Sequence, residues 1–255
     1  MSRNSFLRKT RAGRAASLFA LAVLGVCAAF AFCLYTGRIQ FNSPSRAVFP
    51  VRGIDVSHHQ GAVDWPELAR QDLRFVYIKA TEGGDFKDPR FADNWREANK
   101  AGFAVGAYHF FLPGRTGLEQ AGNFIGSVPR QADALPPALD VECPVEPPGP
   151  QREIVRARIA ECLARLEAHY GKIPVIYTTY EAYAGYIHGG FARYPLWIRS
   201  VFSTPDTAML GREWLIWQYS SRGRLTGYSG RERFIDLNVF NGKEEAFARF
   251  RAGEF

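Results

Sequence analysis

Residues 136–144 read PPALDVECP, a short apolar run between prolines with two acids set into it. Ala138, Leu139 and Val141 suit a buried strand, whereas Asp140 and Glu142 bring carboxylates into it at alternate positions. Side chains alternate across a strand, so residues two apart share a face, with Cα atoms roughly 6.5–7 Å apart. The two acids therefore point the same way. Capping of loop amides at the strand end explains one such acid, but a pair on one face points to a shared cavity.

Apolar runs of the same length recur on both sides of this segment. Strands are predicted over 51–57 (VRGIDVS), 74–80 (RFVYIKA), 103–110 (FAVGAYHF), 137–142 (PALDVE), 173–178 (IPVIYT), 195–200 (PLWIRS), 214–220 (WLIWQYS) and 233–240 (RFIDLNVF). Helical patterns over 65–71, 89–102, 117–128, 151–170 and 179–187 follow the first five. The last three are joined mainly by polar, Gly-rich connections such as SRGRLTGYSGRER (221–233). β/α units with a β-rich end predict an α/β fold, a TIM-like barrel with incomplete helical cover, (β/α)5(β)3, over residues 51–255.

At 255 residues, 47% hydrophobic and 14% aromatic, the chain is large enough for one such core. Its net charge of +7 is unevenly placed. Arg3, Arg8, Lys9, Arg11 and Arg14 precede residue 37 with no acid among them, and the rest of the chain holds 27 basic against 25 acidic residues. That near-balance removes the main support for nucleic-acid binding. Residues 15–37, AASLFALAVLGVCAAFAFCLYTG, are uncharged and, as a helix, long enough for a hydrocarbon core of roughly 30 Å. Residues 1–14 are thus expected to be a cytoplasmic basic tail, 15–37 a transmembrane anchor with the C-terminal part outside, and 38–50 a linker. The alternative is a cleavable signal sequence with Ala29 and Ala31 as its small-residue pair, which would release a secreted domain. Cys143 and Cys162 lie in the exported part, where pairing is permitted but not dictated.

In such a barrel the chemistry collects at the C-terminal ends of the strands. Asp55, Lys79, Glu82, His109, Asp140, Glu142, Tyr177, Gln218 and Tyr219 end strands, and Tyr108, Trp197, Trp217 and Asp236 lie within them. Several carboxylates with aromatics, and no nucleophilic Ser or Cys motif, point to glycoside hydrolysis. One protonated acid gives its proton to the leaving oxygen while negative charge stabilises an oxocarbenium-like centre. Glu142 has the reach for the donor, and crowding by Asp140 raises its pKa. Tyr108, Tyr177, Trp197, Trp217 and Tyr219 are candidate faces for sugar rings.

The combination GIDVSHHQG with VDW, FVYIKATEGGDFKDPRF, AGFAVGAYHFF, ALDVE, PVIYTT, LWI, WQYS and IDLNVFNG resembles the family 25 glycoside hydrolases, the Chalaropsis-type lysozymes, over about residues 52–242. The resemblance implies cleavage of the β-1,4 bond between N-acetylmuramic acid and N-acetylglucosamine in peptidoglycan, with no metal or cofactor. It implies Glu142 as proton donor, Asp140 as its partner, and Asp55 and Asp236 as flanking acids. Lys79, Glu82, Tyr108, His109, Tyr177, Trp197, Trp217, Gln218 and Tyr219 are then candidates for substrate binding. The expected partners are glycan strands and, through the N-terminal helix, the cytoplasmic membrane, with the chain acting as a monomer. Two features depart from the simplest pattern, the apolar N-terminal segment and the Pro-rich CPVEPPGP after the acid pair. A chitinase-like hydrolase is disfavoured because residues 133–142, DALPPALDVE, lack its DxxDxDxE series. A non-catalytic wall-binding protein is disfavoured because the acids are all present. A metal site at His58 and His59 is disfavoured because adjacent residues in an extended loop point apart.

Overall fold

The computed structural model describes residues 3–254, with side chains from residue 16 onward. The basic residues Arg3, Arg8, Lys9, Arg11 and Arg14, on which the inside-to-outside orientation rests, have side chains outside the described residues. The chain divides into two compact units, residues 1–40 and 41–255. The first holds helix α1 (Arg3–Tyr35), whose stretch Ala16–Tyr35 has a mean hydropathy of 2.5 over 20 residues. That length and composition are enough to cross a membrane, and a signal sequence meets the same condition.

The second unit is built on nine strands: β1 (Arg52–Val56), β2 (Phe75–Glu82), β3 (Phe86–Lys87), β4 (Ala104–Phe110), β5 (Ala138–Val141), β6 (Val175–Thr179), β7 (Leu196–Arg199), β8 (Ile216–Gly223) and β9 (Ile235–Phe240). Pairing of β1 with both β2 and β9 closes eight of them into a barrel, and the short β3 adds a hairpin to the end of β2. All eight expected strands are present. Neighbours pair in parallel around the barrel except at β9, which runs antiparallel to both β1 and β8. The helices α2 (Trp65–Ala69), α3 (Phe91–Lys100), α4 (Gly117–Ile125) and α5 (Pro150–Tyr170) cover the parallel half. After β6 the helical cover shrinks to the single turn α6 (Tyr180–Ala182) with a π-helical turn (Tyr183–Ile187), and then to α7 (Thr207–Leu210).

The helix ends follow local chemistry. Asp64 caps α2 by accepting from the Glu67 N–H, Thr116 and Glu119 form a reciprocal capping box on α4, and α5 begins on Pro150 and ends at Gly171 in the left-handed region. One further helix, α8 (Glu244–Ala252), was not anticipated from the sequence pattern. It turns Phe247 and Phe250 onto Phe240 and Phe75 and, with Val51 and Ala104, plugs the floor of the barrel. Inward-facing Gly53 and Gly106 make room above this floor, because a Cβ at either position would overlap the rings of Phe75 and Tyr77.

The expected linker is shorter than residues 38–50. Residues 41–50 pack on the barrel: Asn42 Nδ2 donates to the carbonyls of Ser200 and Tyr219, Phe41 meets Phe202, and Phe49 packs on Trp214 and Trp217. Apolar Phe41 and Phe49, set among the Ser, Asn and Pro of this stretch, account for the docking. Cys143 and Cys162 are both buried free thiols, so the permitted disulfide is not formed. Burial pushes the two thiols up to about 11 and about 12 respectively.

Candidate active site

An open cavity of about 640 Å³ lies at the C-terminal ends of the parallel strands, lined by Asp55, His59, Lys79, Tyr108, Phe110, Asp140, Glu142, Tyr177, Trp197, Gln218 and Asp236. Parity on the strands selects these residues. Asp140 ends the inward row of β5 and Glu142 follows directly on the same face. The reversal of β9 brings Asp236, near that strand's start, opposite Asp55, near the end of β1. An acid at the beginning of a strand thus reaches the mouth that the other acids reach from strand ends.

Two relays fix Asp55. Trp197 Nε1 donates to Asn238 Oδ1 at 2.9 Å, and Asn238 Nδ2 donates to Asp55 Oδ2 at 2.7 Å. Tyr177 OH donates to Gln218 Oε1 at 2.9 Å, and Gln218 Nε2 donates to the same Asp55 oxygen at 3.3 Å. Each amide is oriented by an aromatic donor behind it. Burial nevertheless outweighs these bonds and raises the Asp55 carboxyl to about 6. Asp236 is held well above the usual carboxylate range, by burial first and by the neighbouring Asp55. Asp140 is raised well above that range by burial, then by Glu142 and Asp55, and its Oδ1 is buried without a hydrogen-bond partner. Glu142 keeps an exposed side chain at the mouth. Its carboxyl is raised by partial desolvation, against the pull of Arg199 and Lys79. All four carboxyls are thus pushed above their ordinary values, the direction that favours a retained, transferable proton.

Lys79 lines the cavity, pairs with Glu82 at 2.7 Å and lies 4.8 Å from the centre of the Phe110 ring. Glu82 joins the site only through that pair. His109, Trp217 and Tyr219, three of the expected substrate contacts, do not line the cavity. They occupy the opposite parity and face away from the cavity, His109 toward α4 and Trp217, with Tyr219 beside it, toward Phe49 and Trp214. His109 is fully buried with Thr81 Oγ1 at 2.7 Å and Gln120 Oε1 at 3.2 Å, and burial lowers its pKa to about 4. Gln120 Oε1 can only accept, so the neutral ring carries its proton on Nε2 and accepts from Thr81 on Nδ1. Trp217 Nε1 donates to Ser200 O, and the Tyr219 hydroxyl accepts from Arg52.

Four residues outside the sequence-derived set matter here: His59 and Phe110 in the lining, Asn238 behind Asp55, and Arg199 acting on Glu142 and Asp236. Asn238 and Arg199 each stand two residues after a chosen position, Asp236 and Trp197, so alternation alone would have found them. His58 and His59 also depart from expectation. They lie in a 3₁₀ turn (His58–Gln60) rather than an extended loop, with ring centres 3.9 Å apart, and His58 Nδ1 meets Asp88 Oδ2 at 2.8 Å.

A family model for glycosyl hydrolases, family 25, matches residues 54–228. The chain belongs to glycosyl hydrolase family 25. A family 25 glycosyl hydrolase from Bacillus anthracis superposes on it with a TM-score of 0.75 at 43% identity, covering 83% of this chain and 97% of that one. Lysozyme M1 of Streptomyces globisporus is 38% identical over 205 residues, covering 75% of this chain and 68% of its own. The N,O-diacetylmuramidase of Chalaropsis sp is 31% identical over 211 residues, covering 77% and 99%. This family 25 barrel is a glycoside hydrolase with its acids gathered in one cavity.

Proposed function

We propose that the chain is a lysozyme of the muramidase type, hydrolysing the β-1,4 bond between N-acetylmuramic acid and N-acetylglucosamine in peptidoglycan. It acts as a monomer on the outer side of the cytoplasmic membrane, tethered by α1. The observation that carries the reading is the convergence of Asp55, Asp140, Glu142 and Asp236 in one cavity of a family 25 barrel. The similarity to Lysozyme M1 and to the N,O-diacetylmuramidase supports the choice of substrate.

In this reading Glu142, exposed enough to reach a leaving oxygen and with its carboxyl raised by desolvation, the direction a proton donor needs, is the general acid. Asp140 sits one turn of the strand pleat deeper and offers an oxygen with no partner of its own to the substrate, at its acetamido group or its anomeric carbon. Asp55 and Asp236 share their charge beneath the sugar and stabilise positive charge developing at the ring. Tyr108, Tyr177 and Trp197 present aromatic surface to the sugars. Mass spectrometry of purified peptidoglycan digested by the protein tests the proposal. Fragments ending in reducing N-acetylmuramic acid are expected, whereas reducing N-acetylglucosamine ends or anhydro sugars would contradict it.

A further inference from the structure

The strand that supplies Trp197 also carries a cation to the rim of the cavity. Trp197 and Arg199 share the inward row of β7, and Arg199 stands in register with Gln218 on one side and Thr179 on the other. Arg199 is half-buried, and among the described residues no carboxylate forms an ion pair with it. Lys79, the cation within the cavity, is by contrast engaged by Glu82. A half-buried guanidinium beside a proton donor works against that donor, since Arg199 is the leading charge pulling Glu142 toward its ionised form. A group that binds Arg199 from the substrate side relieves this opposition.

The β8–β9 connection continues the same sign. Arg222 near the end of β8 and Arg224, Arg231 and Arg233 beyond it are exposed, with Glu232 the acid among them. The connection packs on the segment after β1 at the mouth, where the Ser229 N–H donates to Ala62 O and the Glu232 N–H donates to His59 O. The opposite side of the mouth, around the β2–β3 turn, is mixed in sign, with Glu82 paired to Lys79, Asp85 in the turn and Lys87 in β3. The rim is thus cationic on the β7–β9 side, beside the cluster of acids in the cavity.

We infer that Arg199 is a specificity-determining residue that binds a carboxylate on the substituent of a muramic acid residue, with the arginines of the β8–β9 connection extending the preference outward. The inference rests on the muramidase reading above and narrows its substrate to carboxylate-bearing glycan. A guanidinium fork matches a carboxylate in a way that ring hydroxyls do not. Two sources present this chemistry, the lactyl carboxylate of a strand without peptide and the carboxylates of an attached peptide stem.

Full-length protein in detergent would be assayed on three forms of one glycan preparation: peptide-bearing strands, amidase-stripped strands with free lactyl carboxylates, and stripped strands converted to methylamides. For the wild type, kcat/KM is expected to fall on the order of tenfold from the preferred carboxylate-bearing form to the methylamide strands, the scale of one charge-assisted contact. Added salt should narrow that gap. Arg199→Gln should cut all three forms at similar rates, and Arg199→Lys should keep part of the preference. Faster cutting of peptide-bearing than of stripped strands assigns the carboxylate to the stem, and the reverse assigns it to the lactyl group. Equal wild-type rates on all three forms overturn the inference and leave the hydrolase reading intact, as does an equal proportional loss on all three forms in Arg199→Gln. Failure of the wild type to cut any form overturns the muramidase reading and this inference with it.

Discussion

Asp55 accepts two side-chain hydrogen bonds on one oxygen and is still raised to about 6, so desolvation wins over both. A carboxyl whose folded pKa lies above the ordinary 3.8 contributes stability that is fully present below about pH 3.8. That contribution is lost as pH rises through about 6. Asp55→Asn keeps the acceptor for Asn238 and removes the charge. It should raise stability at pH 7 by on the order of 3 kcal/mol, the equivalent of the gap from 3.8 to about 6, with the gain vanishing near pH 4. Thermal melting of both forms across that range checks this, and no gain at pH 7 would mean that burial does not dominate. Glu142→Gln should lower kcat by roughly 10²–10⁴-fold, the usual contribution of a positioned proton donor. Its melting temperature should stay near the wild-type value, because the Glu142 side chain is exposed. A variant retaining most of the turnover removes Glu142 from the donor role. Residue choice was legible wherever alternation was applied. Tyr108 and Trp197 lie on the cavity row, whereas His109 and Trp217, expected there on chemical type alone, sit on the other face.

Among the elements, β5 and the loop after it show how Glu142 is held. Glu142 leads into residues 143–150, whose backbone is tied to the π-helical turn by one side chain. The Tyr186 hydroxyl donates to Pro144 O at 2.8 Å and accepts from the Glu146 N–H at 2.8 Å, while Val145 packs against Gly185. Tyr186→Phe should leave both backbone groups short of a partner and cost on the order of 1–3 kcal/mol. Hydrogen exchange at the Glu146 amide should accelerate relative to amides of α5, and an unchanged protection there would show that the loop is held by other contacts. The Pro-rich composition identified this segment as a loop, but its anchor lies some 40 residues onward and has no local signature. The same holds for β9, whose strand pattern was plain and whose direction was not. Short polar connections between β8 and β9 allow the antiparallel pairing that places Asp236 at the mouth.

At the scale of the whole molecule, an apolar N-terminal helix precedes a hydrolase barrel whose own packing begins at Phe41. An anchor predicts full-length protein in the membrane fraction, with the barrel open to protease from outside the cell. N-terminal sequencing decides between this and release. A soluble exported form beginning near Phe32 would mean cleavage after Ala31 and would discard the tether. A tethered barrel would cut glycan strands close to the membrane, which suits local opening of the wall better than bulk lysis.

By itself the sequence determined the element types, the apolar N-terminal span, the shared face of Asp140 and Glu142, and the chemistry that several acids at strand ends imply. These follow from local rules, since periodicity and side-chain alternation act between residues a few positions apart. Only the tertiary structure decided the reversal of β9, the docking of residues 41–50, the floor supplied by α8, and which acid is desolvated by how much. Asp55 and Asp236 meet from the two ends of the barrel segment, with Asn238, Gln218, Tyr177 and Trp197 converging behind Asp55. Burial and pairing of this kind depend on which distant segments become neighbours when the barrel closes, and no local pattern of residues carries that information.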